Sequence, residues 1–251
     1  MMVSNIKINA DDFGLNSSIN NAIIEAFDKN YINSATLMAN MPGFEEAIDI
    51  IHNNGLFDKI GVHLVLTEGV PLTQKAKYIK YLFKGKQIFK KRMQENLFFL
   101  DKVDRQLIYK ELAAQIEKVQ SCGIPITHLD SHHHVHEFIG VTNVLLALKK
   151  QYHIPSIRIL NNLEKSDKIY KRLYRANINL YLKAKGANYS DFFGDQLDFQ
   201  LKYKKRPSFI NNSSIEIMVH PDYNSEGKLI DKINKSMVNF SDLLSNKNYA
   251  E

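Results

Sequence analysis

The stretch Ile6-Lys-Ile-Asn-Ala-Asp-Asp-Phe-Gly-Leu-Asn-Ser-Ser-Ile-Asn-Asn-Ala-Ile-Ile-Glu-Ala-Phe27 contains one complete strand-to-helix step. Ile6 to Ala10 is a short strand. Asn16, Ser17 or Ser18 then offers a side-chain oxygen to cap a helix whose Ile19, Ile23, Ala26 and Phe27 share one face. The same step recurs downstream. Ser34 to Met38 reads as a strand, Pro42-Gly43 breaks it, Phe44 to His52 is a helix, and Ile60 to Leu66 is a strand containing His63. Asp104 to Cys122 carries Leu107, Ile108, Leu112, Ile116 and Val119 at helical spacing and ends at Gly123 and Pro125.

Further along, Ile126 to Leu129 is a strand, Val141 to Gln151 a helix, Ser156 to Leu160 a strand, and Lys165 to Lys185 a basic helix. Ile215 to Val219 is the sixth strand, and Ile230 to Leu244 is expected to close the chain as a helix. Strands alternating with longer amphipathic segments are the pattern of βα units building a parallel sheet. No internal repeat or low-complexity linker divides them, so the expected architecture is α/β, a distorted (β/α) barrel in a single domain over residues 1–251. The least regular part, Leu72 to Val103, reads as an insertion in a βα loop.

The chain of 251 residues is 44% hydrophobic, enough to bury a sizeable core. Its net charge is +6, and Lys75, Lys77, Lys80, Lys84, Lys86, Lys90, Lys91 and Arg92 lie in a stretch without acids between Glu68 and Glu95. This run reads as a solvated face, and no module for nucleic acid accompanies it. A single cysteine, Cys122, excludes an intramolecular disulfide and is expected to be a buried, inert thiol. Neither a membrane-length apolar run nor a secretory leader is found, so a cytoplasmic protein is expected. Because twofold symmetric pairs are the commonest assemblies, a homodimer is expected.

Chemistry concentrates in His128-Leu-Asp-Ser-His132-His-His-Val-His136, five of the nine histidines in nine residues. In parallel α/β folds, sites form beyond the carboxyl ends of the strands. Asp11, Asp12, His132 and His220 fall at such ends, and His63 lies near one. Taken singly, each could be a helix cap or a packed core histidine; together they point to one cation. Two imidazoles and a carboxylate leave positions open on Zn²⁺, Fe²⁺ or Mn²⁺, as catalysis requires. Among the clustered histidines His132 is the candidate ligand, with His128, His134 and His136 in supporting or packing roles.

Four ordered motifs, Asn9-Ala-Asp-Asp-Phe-Gly-Leu15, Gly61-Val-His-Leu-Val-Leu-Thr67, Thr127-His-Leu-Asp-Ser-His-His-His-Val-His136 and Glu216-Ile-Met-Val-His-Pro221, resemble those of the YdjC-like (ChbG-type) carbohydrate deacetylases. That resemblance implies a distorted barrel related to the polysaccharide deacetylases. It also implies hydrolysis of the N-acetyl group of N-acetylglucosamine-containing oligosaccharides such as diacetylchitobiose. Asp12, His63 and His132 would hold one divalent ion, Mg²⁺ or Zn²⁺, with Asp11 as catalytic base and His220 as general acid.

The neighbouring carboxylates can share one pocket only if a turn redirects one of them, because adjacent strand residues point apart. Asp130 is a candidate to orient a histidine through its second ring nitrogen. Asp222 stands where the family pattern leads one to expect glycine after His-Pro. The alternatives are an amidohydrolase or phosphoesterase built on His132-x-His134 or His134-x-His136, and a non-enzymatic protein binding metal or polyanion through its histidine-rich loop.

Overall fold

The computed structural model describes residues 5–79, 99–163, 168–187 and 190–240. Six parallel strands form one sheet: β1 (Ile6–Phe13), β2 (Ser34–Leu37), β3 (Ile60–Leu64), β4 (Leu129–Ser131), β5 (Phe192–Asp195) and β6 (Ile215–Val219), in the order β4-β3-β2-β1-β6-β5. Helices α1 (Ser17–Asp28), α2 (Phe44–Asn54), α3 (Lys102–Ser121), α4 (Ile139–Gln151), α5 (Ile169–Ala184) and α6 (Gln196–Lys205) connect them. Asn16 caps α1 through a side-chain bond from the Ile19 N–H, 3.1 Å, and Asp101 caps α3 in the same way. No helix among the described residues is long and apolar enough to cross a membrane.

The two faces of the sheet differ in chemistry, and the difference is written in the strand alternation. Ile6, Ile8 and Ala10 of β1 and Ile215, Ile217 and Val219 of β6 join the hydrophobic core that the helices cover. The intervening Lys7, Asn9 and Asp11, and Glu216 of β6, point to the other face. That face is concave, because residues 156–163 bond to both edges of the sheet. The Leu129 N–H donates to the Ser156 carbonyl, 3.0 Å, and the Arg158 N–H to the Leu129 carbonyl, 2.9 Å. At the far edge the Asn162 N–H donates to the Phe193 carbonyl, 3.1 Å.

Arg158 projects from this closing segment into the polar interior of the ring. It forms a fork to Asp11, with both bonds 2.7 Å, an ion pair to Asp130 at 2.6 Å and a bond to Glu216 at 2.8 Å. One guanidinium thus ties together β1, β4 and β6 while only 1% exposed. The interior is packed tightly: a Cβ on Gly61 of β3 would lie 2.6 Å from the ring of His128, so only glycine leaves room for that histidine.

Several expectations are corrected here. Ser156 to Leu160 is not a regular strand; it contributes a single bridge, Leu129 to Ile157, because its remaining hydrogen bonds go outside the sheet, from the Ile157 N–H to the Ala187 carbonyl and between Leu160 and the Asn179 side chain. The sixth strand is instead Phe192–Asp195, four residues directly abutting α6 and too short to stand out by periodicity. Ile230 to Leu244 does not begin as a helix. β7 (Pro221–Tyr223) and β8 (Leu229–Asp231) form an antiparallel hairpin, and turns follow β8. The Asp231 carboxylate draws the chain into that turn by accepting from the His220 N–H, 3.0 Å, and from Asn234 Nδ2, 2.6 Å. Residues 241–244 lie outside the described residues.

Cys122 is half-buried at the end of α3 rather than fully buried, with its thiol directed to the Lys118 carbonyl. Of the expected insertion, residues 72–79, with one 3₁₀ turn (Gln74–Tyr78), and residues 99–103 are described, and α3 already begins at Lys102. Most of the basic run, from residue 80 to 92, lies outside the described residues.

Replacing Arg158 with methionine keeps most of the side-chain volume but leaves three interior carboxylates without their shared cation. Such a loss destabilises by about 3–5 kcal/mol. Urea denaturation of R158M is expected to show that loss, or the variant to fail to accumulate folded; wild-type stability would refute the bridging role.

Candidate metal centre

Asp11 and Asp12 reach one pocket because the strand turns between them. Pairing of β1 with β2 shifts register between Ala10 and Phe13, and Asp12 adopts φ +69°, in the left-handed region that a non-glycine residue occupies at a cost. Gly14, at φ +87°, completes the exit, its N–H held by Asn20 Oδ1 at 2.8 Å. His63 comes from β3, opposite Asp130 in the parallel ladder. His132 is the first residue after β4, where the chain bends again through His133 and His134, at φ 53° and 52°.

These bends bring one donor atom each of Asp12, His63 and His132 within 4.8 Å of one another. Asp12 Oδ1 lies 3.0 Å from His132 Nδ1 and 3.4 Å from His63 Nε2. Yet among the described residues this buried oxygen has no partner that meets hydrogen-bond geometry. The opposite nitrogens of the two rings are properly bonded: His63 Nδ1 to Asp130 Oδ1 at 2.7 Å, and His132 Nε2 to Glu68 Oε2 at 2.9 Å.

A shared ion would account for this pattern. Two ligand atoms about 2.0–2.2 Å from one cation, at tetrahedral or octahedral angles, stand about 3.0–3.5 Å apart with lone pairs aimed at the ion rather than at each other. The donor set, two imidazoles and one carboxylate, suits zinc and its neighbours and admits magnesium through the oxygen. Burial opposes ionisation of Asp12, but the two imidazoles hold its carboxyl well below the usual range. For His63 burial likewise works against charge, and Asp130, Asp11 and Asp12 outweigh it, raising the ion-free imidazole to about 10.

Asp11 sits beside this cluster and not in it. Its Oδ1 accepts from Arg158 and from Asn9 Nδ2 at 2.9 Å, its Oδ2 from Arg158. Burial favours the neutral acid, yet Arg158 first and His63 next keep it ionised to well below its ordinary range. Thr36 Oγ1 donates to Asp130 at 3.0 Å and accepts from Asn9 at 3.0 Å, linking the two carboxylates behind the pocket. His220 follows β6, whose Val219 pairs with Ala10 of β1, and its positive field is among the influences on Asp11. His220 Nδ1 is buried and makes no hydrogen bond to the described residues.

His128, His134 and His136 belong to no group of three possible ligands among the described residues, while His133 and Glu68 have donor atoms within 4.8 Å of one of His132 and form a second such group at the rim. His128 lies within the ring, 2.8 Å from Thr127 Oγ1. His136 Nδ1 bonds Ser131 Oγ at 2.6 Å, and His134 packs edge-on against Phe193 and His136. Neither His132-x-His134 nor His134-x-His136 is part of a three-ligand group among the described residues, so the amidohydrolase and phosphoesterase alternative gains no support from them. Phe13 belongs to the core, and Tyr223 donates to Glu25 at 2.8 Å.

Sequence reasoning missed two side chains that contact the site. Arg158 had a visible signal, a lone arginine inside the apolar run Ile157-Arg-Ile-Leu160. Glu68 had little beyond its place just after the Gly61 to Thr67 motif.

The family model described as YdjC-like protein matches residues 5–249. A carbohydrate deacetylase of Brevibacillus brevis is 33% identical over 225 residues, covering 88% of this chain and 83% of the relative. One from Clostridium beijerinckii is 34% identical over 219 residues, covering 86% and 80%. A crystal structure from Enterococcus faecalis V583, of a protein named for cellobiose-phosphate cleavage, superposes with a TM-score of 0.69 at 24% identity, covering 98% of this chain and 92% of that one, and shares the fold. On this agreement, which runs nearly from end to end, the chain belongs to the YdjC-like protein family.

Proposed function

We propose that the protein is a carbohydrate deacetylase that uses one divalent ion, Mg²⁺ or Zn²⁺, to hydrolyse the N-acetyl group of N-acetylglucosamine-containing oligosaccharides resembling diacetylchitobiose. The observation that carries this reading is the unbonded Asp12 Oδ1 flanked by two imidazoles whose far nitrogens are both tied to carboxylates. Relatives named carbohydrate deacetylase supply the reaction class.

Amide hydrolysis needs an activated water, stabilisation of a tetrahedral oxyanion, and a proton for the departing amine. A bound ion held by Asp12, His63 and His132 would polarise the acetyl carbonyl and lower the pKa of water. Asp11 takes the water's proton. It is always in the accepting form at working pH, and Arg158 fixes its orientation at the cost of some basicity. His220, whose Nδ1 has no hydrogen-bond partner among the described residues, delivers a proton to the sugar nitrogen as the C–N bond breaks. Asp130, bonded to His63 Nδ1, keeps the Nε2 lone pair directed to the ion position.

Three measurements check this reading. Metal-loaded protein should release acetate from N,N′-diacetylchitobiose, seen by mass spectrometry as loss of about 42 daltons, the acetyl-for-hydrogen difference expected of this hydrolysis. No release from any acetylated amino sugar would end the proposal.

Asp11→Asn and His220→Ala should each lower kcat by roughly 10²–10⁴-fold, the range of general acid–base contributions. Retained turnover in either variant would reassign that role.

Stripping the ion with a chelator should abolish activity and lower Tm. Re-addition should restore both, since an ion that binds only the folded state stabilises it.

A further inference from the structure

We infer that Glu68 is a positioning residue for the metal centre: its carboxylate fixes the tautomer and the ring angle of His132, so that Nδ1 is the ligating nitrogen. This rests on the metal-centre reading above and adds to it a side chain that lies outside the ligand set.

The geometry distinguishes the two nitrogens of His132. Nε2 makes an aligned hydrogen bond to Glu68 Oε2 at 2.9 Å. Nδ1 stands 3.0 Å from Asp12 Oδ1 with no such alignment. An anionic carboxylate can only accept, so the Nε2 contact requires the proton on Nε2 and leaves the Nδ1 lone pair free toward Asp12. His63 shows the same division with its nitrogens exchanged: Nδ1 serves Asp130, and Nε2 faces Asp12. Each imidazole thus has a carboxylate at its back, one deep in the ring and one at the rim.

Glu68 is also held in place by its loop. Its carbonyl accepts from Asn40 Nδ2 at 3.1 Å. Gly69, at φ +73°, lies so close to Met41 that a Cβ there would be 2.7 Å from its sulfur. On either side the loop is clamped by buried groups of α3: Gln115 bonds both the N–H and the carbonyl of Val65, each 2.8 Å, and Glu111 accepts from the N–H groups of Leu72 and Thr73. The His132 ring is steadied from another side by His133, with centroids 3.8 Å apart, while His133 bonds Thr67 Oγ1 at 2.8 Å.

The Glu68 side chain is 47% exposed, which weakens its electrostatic hold and leaves the fold insensitive to its removal. Zn²⁺ affinity of the full chain, measured by competition with a chromophoric chelator, should fall about 10–100-fold in Glu68→Ala, the range for carboxylates behind ligating histidines. Glu68→Gln, which still offers an accepting oxygen, should recover part of the loss. At saturating Zn²⁺ the kcat of Glu68→Ala should return toward the wild-type value, with thermal unfolding of the ion-free protein unchanged.

Wild-type affinity in Glu68→Ala would overturn the inference and leave the metal centre standing. A loss as large as that of Asp12→Asn, with no recovery in Glu68→Gln, would also overturn it by making Glu68 a ligand. Absence of Zn²⁺ binding by the wild-type chain would remove the metal centre itself, and this inference with it.

Discussion

A buried guanidinium shared by carboxylates from three strands is the constraint on which the architecture rests. Arg158 is taken out of water at a cost of several kcal/mol, which only close pairing offsets. Asp11, Asp130 and Glu216 supply that pairing, and they do so only when β1, β4 and β6 curve around one interior. The residue that closes the ring is therefore also the one that requires the ring to be closed. The stabilising partner set is inseparable from the site, since two of the three carboxylates border the histidines.

From this arrangement comes a division of labour among acids that are alike as amino acids. Asp11 is bound at both oxygens and remains a carboxylate. Asp130 splits its oxygens between Arg158 and His63, passing the orientation of the charged core on to an imidazole. Asp12, one residue from Asp11, escapes the guanidinium because its backbone turns into the left-handed region, and it keeps an oxygen unclaimed. Three of the six non-glycine residues with positive φ among the described residues, Asp12, His133 and His134, lie at this site, where the turns bring donor atoms face to face.

Much of the fold was legible in the sequence because periodicity reports which side of an element is covered. The helices 17–28, 44–54, 102–121 and 139–151 and strands β1, β2, β3 and β6 followed from apolar spacing. Strand β5 and the closing segment did not, because their pairing is decided by which edges remain unsatisfied and not by local preference. The C-terminal helix expected from residue 230 was lost to a hairpin for a similar reason: residues 229–231 pair with residues 221–223, and the Asp231 side chain fastens that pairing to the His220 N–H.

The sequence by itself determined that strands alternate with helices, that acids and histidines stand at the carboxyl ends of those strands, and that Asp11, Asp12, His63, His132 and His220 form the candidate set. Tertiary structure decided what each member is free to do. Only in three dimensions does an arginine 147 positions away occupy Asp11, or Glu68 and Asp130 stand behind the two imidazoles. Residue type and spacing specify the donors; the direction of a lone pair depends on what bonds the other side of the group, and those partners come from distant elements.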